Sequence, residues 1–294
     1  MRLRRSLIAN IMAIALTCVS LVLCNSSSFE LFSYFIAVPA ILAIVLGAVE
    51  LLRAAPGGVP APHRLVVGIA TSLSVVQIAV SLLVLPSTTR SVRDTTVRNY
   101  LAQIGLGLRS YQTSYGTFPP VAVTDPSGNP LLSWRVLILP FMEHGTLFDR
   151  FKLDEAWDGP HNYPLLSEMP YFFGHPGAPA KRYETCYLAS VGRGAAFEEG
   201  MALSDEDFTD GIQHTITVIE AAQFVPWTSP VDLHIEEQPL SQSVGFDRDR
   251  IFRVLWAGGH VDRIDKGIDE QHMRSWITRN GGEPWIPPPP LRAR

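Results

Sequence analysis

Apolar positions dominate the N-terminal part of the chain and then give way to periodic patterns. Between positions 6 and 85 the only formal charges are Glu30, Glu50, Arg53 and Arg64. Three long apolar runs lie there: 7–23, 31–52 with Glu50 near its end, and 65–85, which carries no charge. A helix that crosses a bilayer needs about 20 apolar residues, because the hydrocarbon core is about 30 Å thick and each residue rises about 1.5 Å. The three runs predict three transmembrane helices, forming an anchor over 1–88. Arg2, Arg4 and Arg5 precede the first run, and Arg53 and Arg64 flank the link between the second and third. The basic residues mark the cytoplasmic side. Three crossings then place everything after residue 88 outside the cytoplasm, in a multi-pass protein of the inner membrane.

Beyond residue 88 the pattern becomes that of a folded domain. Val97, Tyr100, Leu101, Ile104, Leu108 and Tyr111 recur at helical spacing. They predict a long leading helix, ended by Gly116-Thr-Phe-Pro-Pro120, since proline cannot continue it. Strand signals follow at 183–191 and at 215–219, where β-branched residues alternate. Residues 251–256 and 261–264 read as a β-hairpin around Gly258-Gly259, a turn that needs positive φ. A closing helix is predicted over 268–279, with Met273, Trp276 and Ile277 inward and Gly281 as its C-cap. The fold class is therefore α+β: a long leading helix, an antiparallel sheet and a short C-terminal helix over 89–284. A Pro-rich tail, 285–294, is expected to be extended and loose.

Composition sharpens this division. Charged residues make up only 18% of the chain against 47% hydrophobic, and the mean hydropathy is +0.14. Soluble proteins carry about 25% charged residues. A net charge of -4 and a pI of 6.1 argue against nucleic acid, which requires a basic face. Cys18 and Cys24 lie in the first apolar run, so Cys186 is alone in the domain. It can form neither an intradomain disulfide nor a cysteine zinc cluster.

Two long motifs carry a resemblance. One is Gln-Ile-Gly-Leu-Gly-Leu-Arg-Ser-Tyr-Gln-Thr-Ser-Tyr-Gly-Thr-Phe-Pro-Pro over 103–120, and the other is Leu-Leu-Ser-Trp-Arg-Val over 131–136. With 151–158, Asp210-Gly211, the strand to Glu220, Val225-Pro-Trp227 and Gly281-Gly-Glu283, they resemble bacterial pilin-like, type II secretion pseudopilin-like proteins of unknown function. The resemblance covers most of 97–283. It implies an envelope location, a protein partner in the envelope and no known reaction. The Gly-Phe-Thr-Leu-x-Glu processing site common in such proteins is missing. The third apolar run stands where the pilin helix would begin.

The domain offers few chemical constellations. Asp154, Glu155 and Asp158 surround Trp157, with His161 nearby, which suits a cation or a sugar. Glu220 ends an apolar strand and Trp227 follows a loop later, so burial could fit Glu220 for acid–base work. The competing reading pairs Glu220 with an arginine such as Arg135. The acid-rich run Ser204-Asp-Glu-Asp-Phe-Thr-Asp210-Gly also offers Ca²⁺ clustered oxygens, but its order does not fit an EF-hand. No other metal and no cofactor is expected. Histidines are scattered, and no phosphate loop or nucleophile elbow occurs. The expected function is a membrane-anchored, extracytoplasmic structural or interaction protein without catalysis, in contact with the lipid bilayer and an envelope protein. The alternative is a receptor domain for a solute or glycan. In it Trp134, Trp157 and Trp227 line a cleft with Asp154, Asp158 and Glu220.

Overall fold

The computed structural model describes residues 72, 91–177, 183–236, 239–245 and 250–290. The chain divides into two compact units, Met1–Ser91 and Val92–Arg294, and nearly all described residues belong to the second.

That unit opens on a helix, α1, described over 91–115. Val97, Leu101, Ile104 and Leu108 form its buried stripe. They recur every three or four positions, so they share one helix face and bury it together. The helix ends at Gly116, whose φ of +80° would strain any residue with a Cβ. Its N–H returns to the Gln112 carbonyl at 2.8 Å. A short hairpin follows, β1 (Ala122–Thr124) with β2 (Pro130–Ser133). The Ser-Trp-Arg-Val block then turns into α2 (Trp134–Leu137), with the Ser133 hydroxyl accepting from the Arg135 N–H as its cap. One further turn, α3 (Gly145–Phe148), precedes a long irregular segment.

The main sheet has five strands: β3 (Glu184–Val191), β4 (Ile216–Pro226), β5 (Leu233–His234), β6 (Ile251–Trp256) and β7 (Val261–Asp265). Their order is β5-β3-β4-β6-β7. The pairs β3–β4, β4–β6 and β6–β7 are antiparallel, but β5 runs parallel to β3. The expected antiparallel sheet is thus a mixed one. A two-residue strand after a loop adds an edge whose direction no periodicity could have announced. The β6–β7 hairpin is as expected, and Gly259 supplies its positive φ of +94°.

Side chains of a strand alternate between faces. On β4, Val218 joins the core that contains the α1 stripe, while Ile219 and Ala221 join a second core. Phe252, Val254 and Trp256 of β6 also enter the second core, together with Met273, Trp276 and Ile277. Two short helices, α4 (Leu240–Ser243) and α5 (Glu270–Ser275), contribute Leu240 and Met273 to it.

The closing helix is shorter than its sequence suggests. Asp269 caps it by accepting from Gln271 and His272. Beyond Trp276 the backbone finds partners elsewhere: Arg279 N–H donates to the Gly194 carbonyl, and the Arg279 carbonyl accepts from Asp210 N–H. Gly281 is accordingly no C-cap, and the positive φ falls on Gly282.

The expectation of three transmembrane helices, and with it a multi-pass inner-membrane location, is overturned. No helix among the described residues is long and apolar enough to cross a membrane. The stretches 7–23, 31–52 and 65–85 lie outside the described residues, apart from Ser72.

Candidate functional site

Glu220 sits on the face of β4 that packs toward α1, two positions after Val218. Arg253 occupies the neighbouring strand between Phe252 and Val254, which point the other way. Strand alternation therefore brings this acid and this base together on one buried face. Arg253 donates through Nη1 to Glu220 Oε2 at 3.1 Å, and its backbone N–H donates to the same oxygen at 3.0 Å. His175 Nε2 lies 2.9 Å from Glu220 Oε1. Gly177 N–H donates to His175 Nδ1 at 3.1 Å, which leaves the ring proton on Nε2 to serve Glu220. The other edge of the Arg253 guanidinium donates twice to Asp94 of α1, at 2.9 and 2.8 Å. Arg263 of β7 reaches the second Asp94 oxygen at 3.2 Å.

This cluster joins α1, β4, β6, β7 and the loop after Phe173. The Glu220 side chain is only 1% exposed and that of Arg253 6%. Burial acts to raise the Glu220 pKa, but the His175 hydrogen bond and the Arg253 charge outweigh it, and the carboxyl is held below its ordinary value. For Arg253 burial likewise opposes the charge, and Glu220 and Asp94 overcome it, so its pKa is raised. Burial, aided by the Glu220 charge, pushes the Cys186 thiol well above its ordinary value. A thiol so placed is a packing residue and a poor nucleophile.

A general base needs a free lone pair within reach of a substrate proton. Both Glu220 oxygens are engaged inside the protein, and the residue is closed to solvent. The arrangement holds elements in place. It is not poised for proton transfer.

The other residues expected at a site lie elsewhere. Trp227 is fully buried, stacked on Phe173 at 5.6 Å and 19°, with Nε1–H donating to the Leu166 carbonyl at 3.0 Å. Trp134 is also fully buried. Trp157 is partly buried against the main core, while Asp154 and Asp158 are exposed. Their loop is held by Asn162, whose amide donates to the carbonyls of Lys152 and Glu155 at 2.8 and 2.9 Å. Asn162 Oδ1 in turn accepts from Lys152 N–H at 3.0 Å, and Glu155 accepts from His161 N–H at 2.7 Å. Glu220 takes its partners from His175 and Arg253, so the six expected residues do not form one cleft. A cleft of about 230 Å³ does open beside β5, lined in part by Gln223, His234, Gln242 and Ser243, and none of the six lines it.

Arg135 pairs with Asp232, at 2.7 Å, in place of the suggested Glu220. It also donates to the Tyr187 carbonyl from Nε and Nη2, at 3.2 and 2.9 Å, and to the Ser133 hydroxyl at 2.6 Å. Asp232 Oδ1 further accepts from Ala189 N–H at 2.7 Å and from the Trp134 indole at 3.3 Å. Burial dominates for both partners, lowering the Arg135 pKa and raising that of Asp232 despite their mutual attraction. The pair is one whose desolvation exceeds its Coulombic gain. The Ser-Trp-Arg-Val block is thus a structural device: a cap, a core indole and a buried guanidinium.

In the acid-rich run three of the four carboxylates are engaged separately. Asp205 forms a two-pronged pair with Arg109 at 2.6 and 2.9 Å, Asp207 closes a capping box with Ser204, and Asp210 accepts from Gly281 and Gly282. Among the described residues no group of three or more His, Cys, Asp or Glu side chains could hold a metal ion.

His175, Arg253, Asp94 and Asp232 were not singled out from the sequence. Only Arg253 left a signal, as a charge in the middle of the apolar strand Ile-Phe-Arg-Val-Leu-Trp.

Residues 90–192 match the model of a family described as a protein of unknown function (DUF1559). The match runs from α1 through β3, so it includes Asp94, Arg135 and His175 and leaves out Glu220, Asp232 and Arg253. No curated protein and no solved structure matches the chain.

Proposed function

We propose that this chain is a non-catalytic structural or interaction protein whose domain is pilin-like, with a leading helix laid across a sheet. The observation that carries this reading is the saturation of Glu220. The strongest acid–base candidate is spent on holding α1, β4, β6 and the His175 loop together. The receptor alternative needs a concave site lined by three tryptophans, and Trp134 and Trp227 are core residues. The outward side of α1 is where a partner protein would meet the domain. Leu106, opposite the buried stripe, is 68% exposed there.

Site-specific photo-crosslinking tests this. A crosslinker at Thr113 of the full chain, expressed in its own host, should give a discrete protein adduct. Leu106→Asp should abolish that adduct while leaving the fold intact by circular dichroism. Absence of any adduct at Thr113 would remove the reading. So would a reaction of the purified chain that is lost in a folded Glu220→Gln variant.

A further inference from the structure

The cleft beside β5 is built on an irregularity of the main sheet. Thr185 of β3 pairs with Val225 of β4, and Tyr187 pairs with Glu220, so residues 221–224 of β4 stand against a single residue of β3. Surplus residues in a ladder bulge out of it, and here Ala222 and Gln223 are left exposed. The root of the bulge is fastened to the chain that follows α4. Ala221 bridges Val244, and the Gly245 N–H donates to the Glu220 carbonyl at 2.6 Å. Gln223 of the bulge, His234 of β5, and Gln242 and Ser243 of α4 therefore converge on the same space of about 230 Å³.

Asp232, one residue before β5, lines this cleft as well, and its side chain is only 1% exposed. Trp134, Arg135 and Ala189 all donate to Oδ1. Oδ2 is buried and accepts from no group among the described residues. A buried acceptor without a donor is costly. The three donors on Oδ1 do not line the cleft, so Oδ2 is the carboxylate oxygen left to it.

The lining also defines what could supply that donor. Arg135, 2.7 Å from Asp232, already balances its charge. Among the described residues no other Asp, Glu, Lys or Arg lines the cleft. An ion, which must give up its hydration to enter, finds no net opposite charge there. A neutral hydroxyl can donate to Oδ2 without that cost. The amides of Gln223 and Gln242 both donate and accept, and the Ser243 hydroxyl, which donates to the Pro239 carbonyl at 3.3 Å, can still accept. Such groups suit a molecule with hydroxyls on several sides. The space is smaller than the roughly 300–1,000 Å³ of sites for drug-sized ligands.

We propose that the cleft between the β4 bulge, β5 and α4 binds a neutral polyhydroxy compound of monosaccharide size, one hydroxyl of which donates to Asp232 Oδ2. None of the lining residues belongs to α1, so loss of polyol binding would leave the protein-partner reading untouched, and loss of the crosslinked partner would leave the cleft untouched.

Saturation-transfer NMR on the full chain tests this. The probes are D-glucose, D-galactose, myo-inositol and glycerol, with ethanolammonium as a small cation and lactate as a small anion. At least one of the three ring polyols should bind saturably, with a Kd on the order of a millimolar. It should bind more tightly than glycerol and both ions. Gln223→Leu changes an exposed side chain and should weaken that polyol by about two- to tenfold. Asp232→Asn keeps the shape but can place an N–H₂ donor where the free acceptor was, and should weaken it by about tenfold or more. Should Asp232→Asn fail to fold, Gln223→Leu and Ser243→Ala decide. Failure of all three ring polyols to saturate, or binding that is unchanged in Gln223→Leu and Ser243→Ala, would overturn the site. Tighter binding of ethanolammonium or lactate would overturn the neutral ligand. Glycerol binding as tightly as the ring polyols would overturn the monosaccharide size.

Discussion

Glu220 and Asp232 are both buried carboxylates beside an arginine, yet their surroundings act on them in opposite directions. Glu220 takes its hydrogen bonds on both oxygens, and its pKa falls below the ordinary 4.5. Asp232 gathers its hydrogen bonds on Oδ1, while the buried Oδ2 has no partner, and its pKa rises. The consequences for stability differ in sign. The contribution of Glu220 is fully present above about 4.5, its unfolded value, and is lost as pH falls through the lower folded one. For Asp232 the folded state penalises the charge, and acid relieves that penalty. Glu220→Gln should therefore destabilise the domain at neutral pH, on the order of 3 kcal/mol, by leaving Arg253 under-compensated. Urea unfolding at pH 7 and at pH 4 checks this: the gap between variant and wild type should narrow in acid. A constant gap would deny the carboxylate its charged role.

At the scale of elements, α1 depends on two glycines inside a helix, where glycine costs about 1 kcal/mol against alanine. Both are buried and both permit close approach, but against different neighbours. A Cβ on Gly105 would stand 2.8 Å from Leu255 Cδ1 and 3.4 Å from the Gly259 carbonyl at the β6–β7 turn. Leu255 is fully buried and has nowhere to go. A Cβ on Gly107 would stand 2.8 Å from the Met142 sulfur, on a flexible and partly exposed side chain. Gly105→Ala should thus cost about 1–3 kcal/mol from overpacking. Gly107→Ala should fall between neutral and about 1 kcal/mol stabilising. Thermal melts of the two variants should separate in that order, and a Gly105→Ala melt at or above wild type would remove the close-packing argument.

Across the whole described domain, the charged cluster links α1 to strands far along the chain: Asp94 and Arg253 are 159 positions apart. Such a contact closes a long loop and fastens the helix to the sheet. Arg253→Met should then release the start of α1 before the sheet. Hydrogen exchange of the amides at 94–101 should quicken in the variant by more than that of β3 and β4. Uniform acceleration across helix and sheet would mean that the cluster supports global stability alone.

Periodicity alone marked α1, the β6–β7 hairpin and the inward set Met273, Trp276 and Ile277, because each records a local face that must be buried. The apolar character of the first 85 positions is equally plain in the sequence, but apolar runs alone do not establish a crossing. The partners of Glu220 were not legible. Strand spacing put the carboxylate at a position that burial could make reactive, and only the sheet register brought Arg253 beside it and the loop brought His175 above it. The choice between Arg135 and another arginine for Glu220 was open for the same reason: nothing local joins Arg135 to its acid, Asp232, 97 positions away. A sequence carries the pattern of what must be buried, since that depends on neighbours three or four residues off. Which charges meet inside depends on contacts between distant segments, and the tertiary structure alone decides them.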